Sequence, residues 1–363
     1  MLTGAGLDVM LVNARQARQI PGRKTDAADC AWLADLGAHG LLRASFVPAA
    51  PVRELKDLVR ARTTLRRLRG QEVQRLEKLL EDAAVKLSSV VSDLMGVSGR
   101  RMLDALVRGE RDPEVLAALG CKRLKASPEV LAEALTGRFT DHHAYLARLH
   151  LDLIDAHAAK IADLDHRIEG YFRADEPGGG ETQGRDWGIG GAEAGEWAAK
   201  RDLLATIPGV SKTVAEQILA ETGPDMSPFA TPKRLASWAG VAPGSNESAG
   251  RVKSAKCRKG DTHLKGALGV AAMSAANTKD TFASARYKRI RSRRGHMKAL
   301  VAVERHIIEA AWRILSTGEP YLELGGDYYL KRRPGTAIRK AIEQLQAVGY
   351  TVAFPNQATA QVT

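Results

Sequence analysis

Apolar residues spaced alternately three and four positions apart run through the first half of the 363-residue chain. This spacing places them on one side of an α-helix and forms a seam through which helices pack. Two such stretches, joined by short helices, favour a coiled-coil hairpin or a coiled-coil dimer. The seam positions are Leu55, Leu58, Leu65, Leu68, Leu76, Leu80, Ala83, Leu87, Val90 and Leu94 in the first stretch and Ile154, His157, Ile161, Leu164, Ile168 and Tyr171 in the second.

A short α/β pattern precedes the first long helix. Residues 7–12 (LDVMLV) have the apolar composition of a buried strand, Pro21 and Gly22 form a turn, and residues 25–36 have the period of a helix. One strand and one helix cannot bury their own apolar faces. We therefore expect this region to be the last part of a larger α/β domain.

The second half of the chain predicts a separate helical domain. Residues 175–198 are rich in glycine and lack apolar periodicity, which indicates a flexible linker or an insertion. The predicted fold class is mostly α: the remnant of an α/β domain, a long coiled-coil helical arm and an α-helical C-terminal domain. The predicted boundaries are 1–50 for the remnant, 51–174 for the arm, 175–198 for the linker, 199–320 for the C-terminal domain and 321–363 for a basic helix and tail.

Residues 203–223 (LLATIPGVSKTVAEQILAETG) have the layout of a helix-hairpin-helix. Gly209 would let the turn approach a phosphate, and the start of the second helix offers free N–H groups and the positive end of its dipole. Lys212 adds a positive charge, while Ser211 occupies the place of a second glycine. Such a motif contacts the nucleic-acid backbone without reading bases. An ordinary helical hairpin has the same pattern.

Positive charge is concentrated in one segment of the C-terminal domain. The chain has a formal net charge of +12 and a pI near 9.7. Residues 251–298 carry 14 Lys or Arg against two acids, Asp261 and Asp280, a difference of +12 that equals the whole net charge. A local field of this size is typical of a surface that binds the phosphates of DNA or RNA. A solvated helix face or a basic tail has a similar composition.

Other classes of protein are disfavoured. No apolar run reaches the roughly 18 residues of a membrane span, and the N terminus lacks the features of a secretory signal. Cys30, Cys121 and Cys257 are odd in number and far apart, so they predict reduced thiols and neither a disulfide framework nor a zinc site. We expect a cytoplasmic protein without a membrane partner.

Asp26 and Asp29 are the first candidates for chemistry. They lie three residues apart at the start of a predicted helix, so their side chains would share one face and could both reach a divalent ion. Acids in a first helical turn also complement the helix dipole, and Asp26 could cap the helix. Spacing alone favours the capping interpretation, and two carboxylates are fewer than a two-metal site needs.

Ser248, in the polar stretch GSNESAG, is the second candidate. A serine that attacks a phosphodiester needs deprotonation, in-line placement and nearby cations, and basic residues follow Ser248 closely. Ser245 is equally suitable by composition, and an ordinary loop serine would have the same surroundings. The candidate nucleic-acid-binding residues are Gly209, Ser211, Lys212, Arg251, Lys253, Lys256, Arg258, Lys259 and Lys265.

Two regions of the chain resemble insertion-sequence transposases of the IS110 type. The stretch PGRKTDAADCAWLADLGAHGLLRASFVP is similar to the end of their catalytic domain. The stretches LLATIPGVSKTVAEQILAETG and PFATPKRLASWAGVAPGSNESAGRVKSAKCRKGDTHLKGALGVAAMSA are similar to their C-terminal transposase domain. The resemblance extends over nearly the whole chain, up to about residue 352, and the motifs in this order are highly specific.

The resemblance implies a DNA recombinase with two catalytic parts. A RuvC-like domain binds a divalent metal, Mg²⁺ or Mn²⁺, through Asp, Glu, Asp and Asp carboxylates, and a serine of the C-terminal domain links transiently to DNA. A noncoding guide RNA from the element pairs with donor and target DNA. By motif, Asp26 and Asp29 match the last two carboxylates, and Ser248 matches the nucleophile. The heptads add an expected homo-oligomer through the coiled coil.

The matched region begins inside the RuvC-like domain. The family's first aspartate and its glutamate lie upstream of the matched motif, and Asp8, the one acid before Asp26, does not fit their pattern. The resemblance therefore leads us to expect an N-terminally truncated chain that lacks part of the metal site and cannot exchange strands by itself. Two other functions agree with these residues: a catalytically inactive nucleic-acid-binding fragment or regulator, and a metal-dependent junction endonuclease.

Overall fold

The computed structural model describes residues 9–12, 26–42, 44–121, 124–173, 191–244, 246–248, 250–254 and 256–352. The side chains at 26–29, 191–192, 246–248 and 252–253 fall outside this description, as do the predicted turn at Pro21 and Gly22, most of the predicted linker and the C-terminal tail. The chain divides into two compact units. We call Glu54–Ala198 the arm, and Met1–Arg53 together with Ala199–Thr363 the terminal unit.

The described residues are mostly helical, as the sequence predicts. None of their helices is long and apolar enough to cross a membrane. One antiparallel hairpin consists of β1 (Asn246–Ser248) and β2 (Arg251–Ser254). The helices within the described ranges are α1 (Asp26–Ala38), α2 (Ala50–Asp82), α3 (Leu87–Val90), α4 (Val97–Val107), α5 (Pro113–Ala118), α6 (Pro128–Leu135), α7 (Asp141–Gly170), α8 (Gly191–Leu204), α9 (Lys212–Thr222), α10 (Pro232–Trp238), α11 (Thr262–Asn277), α12 (Phe282–Arg294), α13 (His296–Thr317), α14 (Tyr328–Arg332) and α15 (Pro334–Ala347).

The arm contains two long helices that run antiparallel. Arg62 Nη1 on α2 lies 2.9 Å from Asp165 Oδ1 on α7, and Glu72 Oε2, further along α2, lies 2.9 Å from His150 Nδ1, earlier on α7. As the residue number rises along α2, the number of the contacting residue on α7 falls, so the two helices run in opposite directions. The two helices therefore form a hairpin, while the coiled-coil packing inferred from their heptads stays a prediction.

A compact helical head ends the arm and differs from the continuous seam that the spacing predicts. α2 ends at Asp82, and Ala84 adopts a left-handed φ of +59°. The heptad positions beyond it, Leu87 and Leu94, are buried in a globular core shared with α4–α6 and do not extend the helix. The core of this head includes Leu76, Leu80, Leu87, Leu94, Met102, Leu103, Leu106, Leu116, Leu131, Leu135 and Leu151.

Of the N-terminal α/β pattern, the predicted helix is present, whereas the prediction of a buried strand is wrong for the described residues, because Val9, Met10 and Leu11 are 42%, 57% and 56% exposed. α1 begins one residue after the predicted start at residue 25 and ends two residues after the predicted end. Of the predicted strand, residues 7–8 lie outside the described part. The other residues form one antiparallel bridge between Val12 and Ala44, next to a 2.7 Å hydrogen bond from Ser45 N to Leu11 O.

Small residues on α11 allow helices to pack closely in the terminal unit. Ala267, Ala271 and Ala275 recur every four residues on α11 and are almost fully buried. Gly209, in the turn between α8 and α9, fits against this face with a φ of +86°. A Cβ atom at Gly209 would lie 2.4 Å from Ala271 O, so the turn and α11 are in backbone contact.

An aromatic cluster attaches the segment between α1 and α2 to the helices of the terminal unit. The ring centroid of Phe46 lies 5.2 Å from that of Phe229 and 6.1 Å from that of Trp238. Trp312 Nε1, on α13, donates a 2.7 Å hydrogen bond to Phe229 O. Residues that precede the arm in the sequence therefore pack with residues that follow it, in one apolar core.

The segment that follows α13 folds back over the start of α12. Glu323 Oε1 accepts a 2.7 Å hydrogen bond from Phe282 N, and the Phe282 ring stacks on Tyr329 with centroids 5.6 Å apart. His306 Nε2 lies 2.9 Å from Tyr321 Oη, and the His306 ring lies 4.8 Å from the Phe282 ring. The half-buried His306 therefore contacts this strap, residues 318–327, through Tyr321.

Acid should weaken the terminal unit through His306. Burial lowers the pKa of His306 to about 4, whereas an unfolded histidine has a pKa of about 6.5. Between these values the unfolded chain binds a proton that the folded chain does not, so the free energy of unfolding should fall by up to about 3 kcal/mol as the pH drops from 7 to 4. His306→Gln should flatten this dependence in urea unfolding measured across that range. Equal slopes for His306→Gln and the unchanged chain would contradict the assignment, and exposed His142→Gln serves as the control.

Candidate nucleic-acid interface

A groove of about 830 Å³ in the terminal unit collects positive side chains from separate parts of the sequence. It lies among the loop after α10, the end of β2, and helices α11, α12 and α13. We call it the cationic groove. Its charged lining residues are Lys256, Lys265, Arg286, Arg294, Lys298 and Arg305, and no acid lines it in the part of the chain that the structure describes.

Helical periodicity and one glycine turn build the groove. Lys298, Ala302 and Arg305 are spaced by four and three residues, so they lie on one face of α13, while Val303 is buried on another. Gly295, with a φ of +81°, ends α12 and begins α13. The turn at Gly295 brings the last residue of α12, Arg294, to the same groove as Lys298.

The groove carries a positive charge that is scarcely neutralised. Arg305 Nε lies 2.7 Å from Glu309 Oε1. Within the described ranges, none of the other five cations has an acid within 4.0 Å. Arg286 is held in place because its Nε donates a 3.2 Å hydrogen bond to Ala302 O. Like charges held together repel one another, and a polyanion that enters the groove relieves that repulsion.

A buried carboxyl group lies behind this charged surface. Glu304 on α13 is 7% exposed, faces Gly269 on α11, and its Oε2 has no hydrogen-bond partner among the described residues. Burial raises the pKa of Glu304, and the nearby charge of Lys265 partly offsets that rise. Glu304 does not line the groove.

The β1–β2 hairpin connects Ser248 with the groove. Ser254 lines the groove and pairs with Asn246, while Ser248 pairs with Arg251 next to the turn at Gly250. The backbone of Ser248 is therefore two residues along β1 from the pair that borders the groove. The side chains of Ser248 and Lys253, and the whole of Ser245, lie outside the described residues.

The other predicted cations fall into two groups. Lys256 and Lys265 line the groove, whereas Arg251, Arg258 and Lys259 are exposed outside it. Four cations of the groove are not among the nucleic-acid-binding residues predicted from the sequence, although three of the four lie in the basic segment 251–298. Helical spacing was the signal that could have selected them, and they are Arg286, Arg294, Lys298 and Arg305.

The turn between α8 and α9 has the geometry of a capped helix start. Ser211 is the N-cap of α9, and its hydroxyl accepts a 3.3 Å hydrogen bond from Val214 N. Lys212 is exposed, with its Nζ 3.7 Å from Asp202 Oδ1. Gly209 turns towards α11, so its missing side chain is explained by packing. Binding of phosphate at this turn stays a prediction.

Asp26 and Asp29 lie in the first turn of α1. Their spacing puts them on one side of the helix, and carboxylate oxygens are ligands that Mg²⁺ and Mn²⁺ accept. Their side chains are not among those the structure describes, and the described side chains form no cluster of three or more His, Cys, Asp or Glu that could hold a metal. The spacing of Asp26 and Asp29 on the backbone therefore fits two ligands of a metal site.

Comparisons with known proteins match both candidate regions. Residues 201–288, which include the hairpin and three groove cations, match the model of the "Transposase IS116/IS110/IS902 family". Residues 1–84, which include Asp26 and Asp29, match a DEDD-type model of the IS110 group described as "Transposase".

Two curated proteins are similar along most of their length. The "Insertion element IS900 uncharacterized 42 kDa protein" of Mycobacterium paratuberculosis is 26% identical over 340 residues, which cover 87% of this chain and 78% of that protein. The "Putative transposase y4pF/y4sB" of Sinorhizobium fredii is 26% identical over 334 residues, which cover 90% of this chain and 71% of that protein.

Proposed function

Because the chain belongs to the IS116/IS110/IS902 family of insertion-sequence transposases, we propose that DNA is cut and rejoined beside its cationic groove, with Ser248 as the nucleophile, and that Asp26 and Asp29 supply only part of the metal site that this reaction needs. One observation carries the proposal. Six cations, of which five have no acid partner among the described residues, line a groove that the Ser248 hairpin borders. DNA is the partner that the family implies, and its phosphates suit this surface.

The proposed step exchanges one phosphodiester for another. Ser248 Oγ forms a bond to phosphorus, one phosphorus–oxygen bond of the DNA backbone breaks, and the departing deoxyribose oxygen takes up a proton. The serine proton passes to a base or to water. Attack on the phosphoserine by a hydroxyl of another strand reverses these changes and releases Ser248. Groove cations would stabilise the extra negative charge on the pentacovalent phosphorus.

Asp26 and Asp29 would supply part of a site for Mg²⁺ or Mn²⁺. An ion bound there would neutralise charge on a phosphoryl oxygen and orient the strand. The two carboxylates would hold the ion from one side, as their i, i+3 spacing on α1 allows. Isothermal titration of Mn²⁺ into Asp26→Asn/Asp29→Asn should show weaker binding than in the unchanged chain, and equal binding would remove both residues from the site.

A guide RNA and a second copy of the chain complete the proposal. Exposed cations on α14 and α15, including Arg332 and Lys340, support a second nucleic-acid partner besides the DNA in the groove. Nucleic acid that copurifies with the chain should then be sensitive to ribonuclease.

Tyr145, Leu149 and Leu153 lie along one face of α7 and are 70%, 43% and 40% exposed, which supports association of two copies of the chain through the arm. Sedimentation at micromolar concentration should detect the oligomer.

Neutralising two groove cations tests the proposed DNA surface. Arg294 and Lys298 are exposed and have no acid partner within the described ranges, so Arg294→Gln/Lys298→Gln should leave the fold intact. Loss of two phosphate contacts should weaken DNA binding about tenfold and reduce the slope of log K against log[salt] by about 2. Fluorescence anisotropy with labelled duplex DNA at several salt concentrations measures both quantities.

A matched control separates the groove from general charge. Lys279→Gln/Lys288→Gln removes the same charge from exposed positions of the terminal unit outside the groove. If this pair weakens binding as much as Arg294→Gln/Lys298→Gln, the groove is not the DNA surface.

A further inference from the structure

The lining of the cationic groove also has an apolar part, which we call its floor: Met297, which is 69% exposed, Val301 and Pro243. Met297 and Val301 lie one turn apart on α13, next to the row that contains Lys298, Ala302 and Arg305. Pro243, in the loop after α10, lines the same groove. An apolar row therefore runs beside a cationic row along the same helix.

A double helix offers few apolar surfaces that could contact this floor. Its outer surface offers phosphates and sugars, while the flat faces of its bases are covered by stacking. An unpaired nucleotide exposes both a phosphate and a base face, and proteins that bind single strands combine a cationic groove with aromatic side chains on which bases stack. In the described lining of this groove, the apolar side chains available for such a contact are aliphatic. A volume of about 830 Å³ lies in the range of sites that enclose compact organic ligands.

We propose that the groove binds an unpaired stretch of nucleic acid, with bases on Met297 and Val301 and phosphates on the flanking cations. This inference rests on the proposed function and specifies the form of the strand. The groove lining within the described residues has no Asn, Gln, Asp or Glu, the side chains that pair with the edges of adenine or cytosine. The lining therefore lacks the side chains that read adenine and cytosine, and DNA and RNA strands share the recognised chemistry.

Isosteric polar substitutions test the floor without changing its charge. Met297→Gln/Val301→Thr keeps the side-chain volumes and removes apolar surface. The matched control, Met273→Gln/Val270→Thr, makes the same changes at residues of α11 that are 49% and 58% exposed and lie outside the groove. Anisotropy is measured with the full chain and a labelled dT12 strand, an rU12 strand, and the dT12 strand paired with dA12.

The unchanged chain should bind at least one single strand more tightly than the duplex. Met297→Gln/Val301→Thr should weaken single-strand binding about fivefold and leave duplex binding unchanged. The control pair, Met273→Gln/Val270→Thr, should not weaken single-strand binding. Tighter binding of dT12 would identify the bound strand as DNA, and tighter binding of rU12 would identify it as RNA. Equal loss in both variant pairs, or loss of duplex and single-strand binding alike, overturns the inference, and a circular dichroism melting curve checks that each variant is folded.

The result separates this inference from the function on which it rests. If the chain binds duplex more tightly than either single strand and Arg294→Gln/Lys298→Gln weakens that binding, the groove is a duplex site: the inference is wrong and the proposed function stands. If the chain binds none of the three probes, the proposed function itself is wrong.

Discussion

Replacing Ser248 with alanine should abolish covalent attachment of the chain to DNA and leave its affinity for DNA unchanged. The substitution removes the oxygen that would form the phosphoserine ester, so the rate should fall by at least about a thousandfold. Affinity depends on contacts between phosphates and groove cations, which the substitution does not alter. Labelled DNA from the ends of the insertion element, incubated with the chain and Mg²⁺ and separated on a denaturing gel, reveals the adduct, and anisotropy on the same samples measures binding.

Two other serines provide controls for that experiment. Ser245 has the same composition around it as Ser248, and Ser254 lines the groove itself. Ser245→Ala and Ser254→Ala should both keep the adduct, because neither hydroxyl is the proposed nucleophile. An adduct that persists in Ser248→Ala and disappears in one of the controls would transfer the role to that serine.

The same gel distinguishes the alternative functions. A nucleic-acid-binding fragment or regulator would bind DNA without forming an adduct in any variant. A metal-dependent junction endonuclease would cut DNA equally well with or without the Ser248 hydroxyl and would lose cutting in Asp26→Asn/Asp29→Asn. A transposase of the proposed kind loses strand cutting in both sets of variants, because the serine and the metal ligands serve one step.

Local sequence signals predicted much of the terminal unit because they act over a few residues. The pair Thr231-Pro232 predicts a helix start, and Thr231 caps α10 with Pro232 in its first turn. Apolar spacing predicts helices over 262–276 and 295–316, and α11 and α13 begin and end within one residue of those limits. The polar sequence from 240 to 261 predicts a loop, and the structure has the β1–β2 hairpin there instead, because its short strands lack an apolar alternation that would distinguish them from a polar turn region.

Patterns that depend on a distant partner were less informative. Leu87 and Leu94 fit a heptad and are buried, but spacing cannot tell whether a second long helix or a globular head covers them. The groove presents the same difficulty. The basic segment predicted a phosphate-binding surface, yet Arg305 lies outside that segment and joins Lys265 only through the packing of α13 on α11.

Replacing Gly209 with alanine should strongly destabilise the terminal unit. The new Cβ would lie 2.4 Å from Ala271 O and 2.6 Å from Ala275 N, both backbone atoms of α11 that cannot move independently. The φ of +86° adds strain for any residue with a side chain. The two effects together should cost about 3 to 5 kcal/mol of unfolding free energy. Urea unfolding followed by tryptophan fluorescence measures the loss.

Gly266→Ala is the matched control, because the same methyl group is added to α11 where nothing lies within 4 Å. It should stabilise the chain by up to about 1 kcal/mol, since alanine favours a helix interior more than glycine does. The comparison also tests why glycine occupies position 209. If Gly209 serves only to admit a phosphate, Gly209→Ala will unfold like the unchanged chain and bind DNA more weakly. If Gly209 is needed for packing against α11, Gly209→Ala will lower the free energy of unfolding. DNA binding will then be lost only because the helices that form the groove no longer hold together.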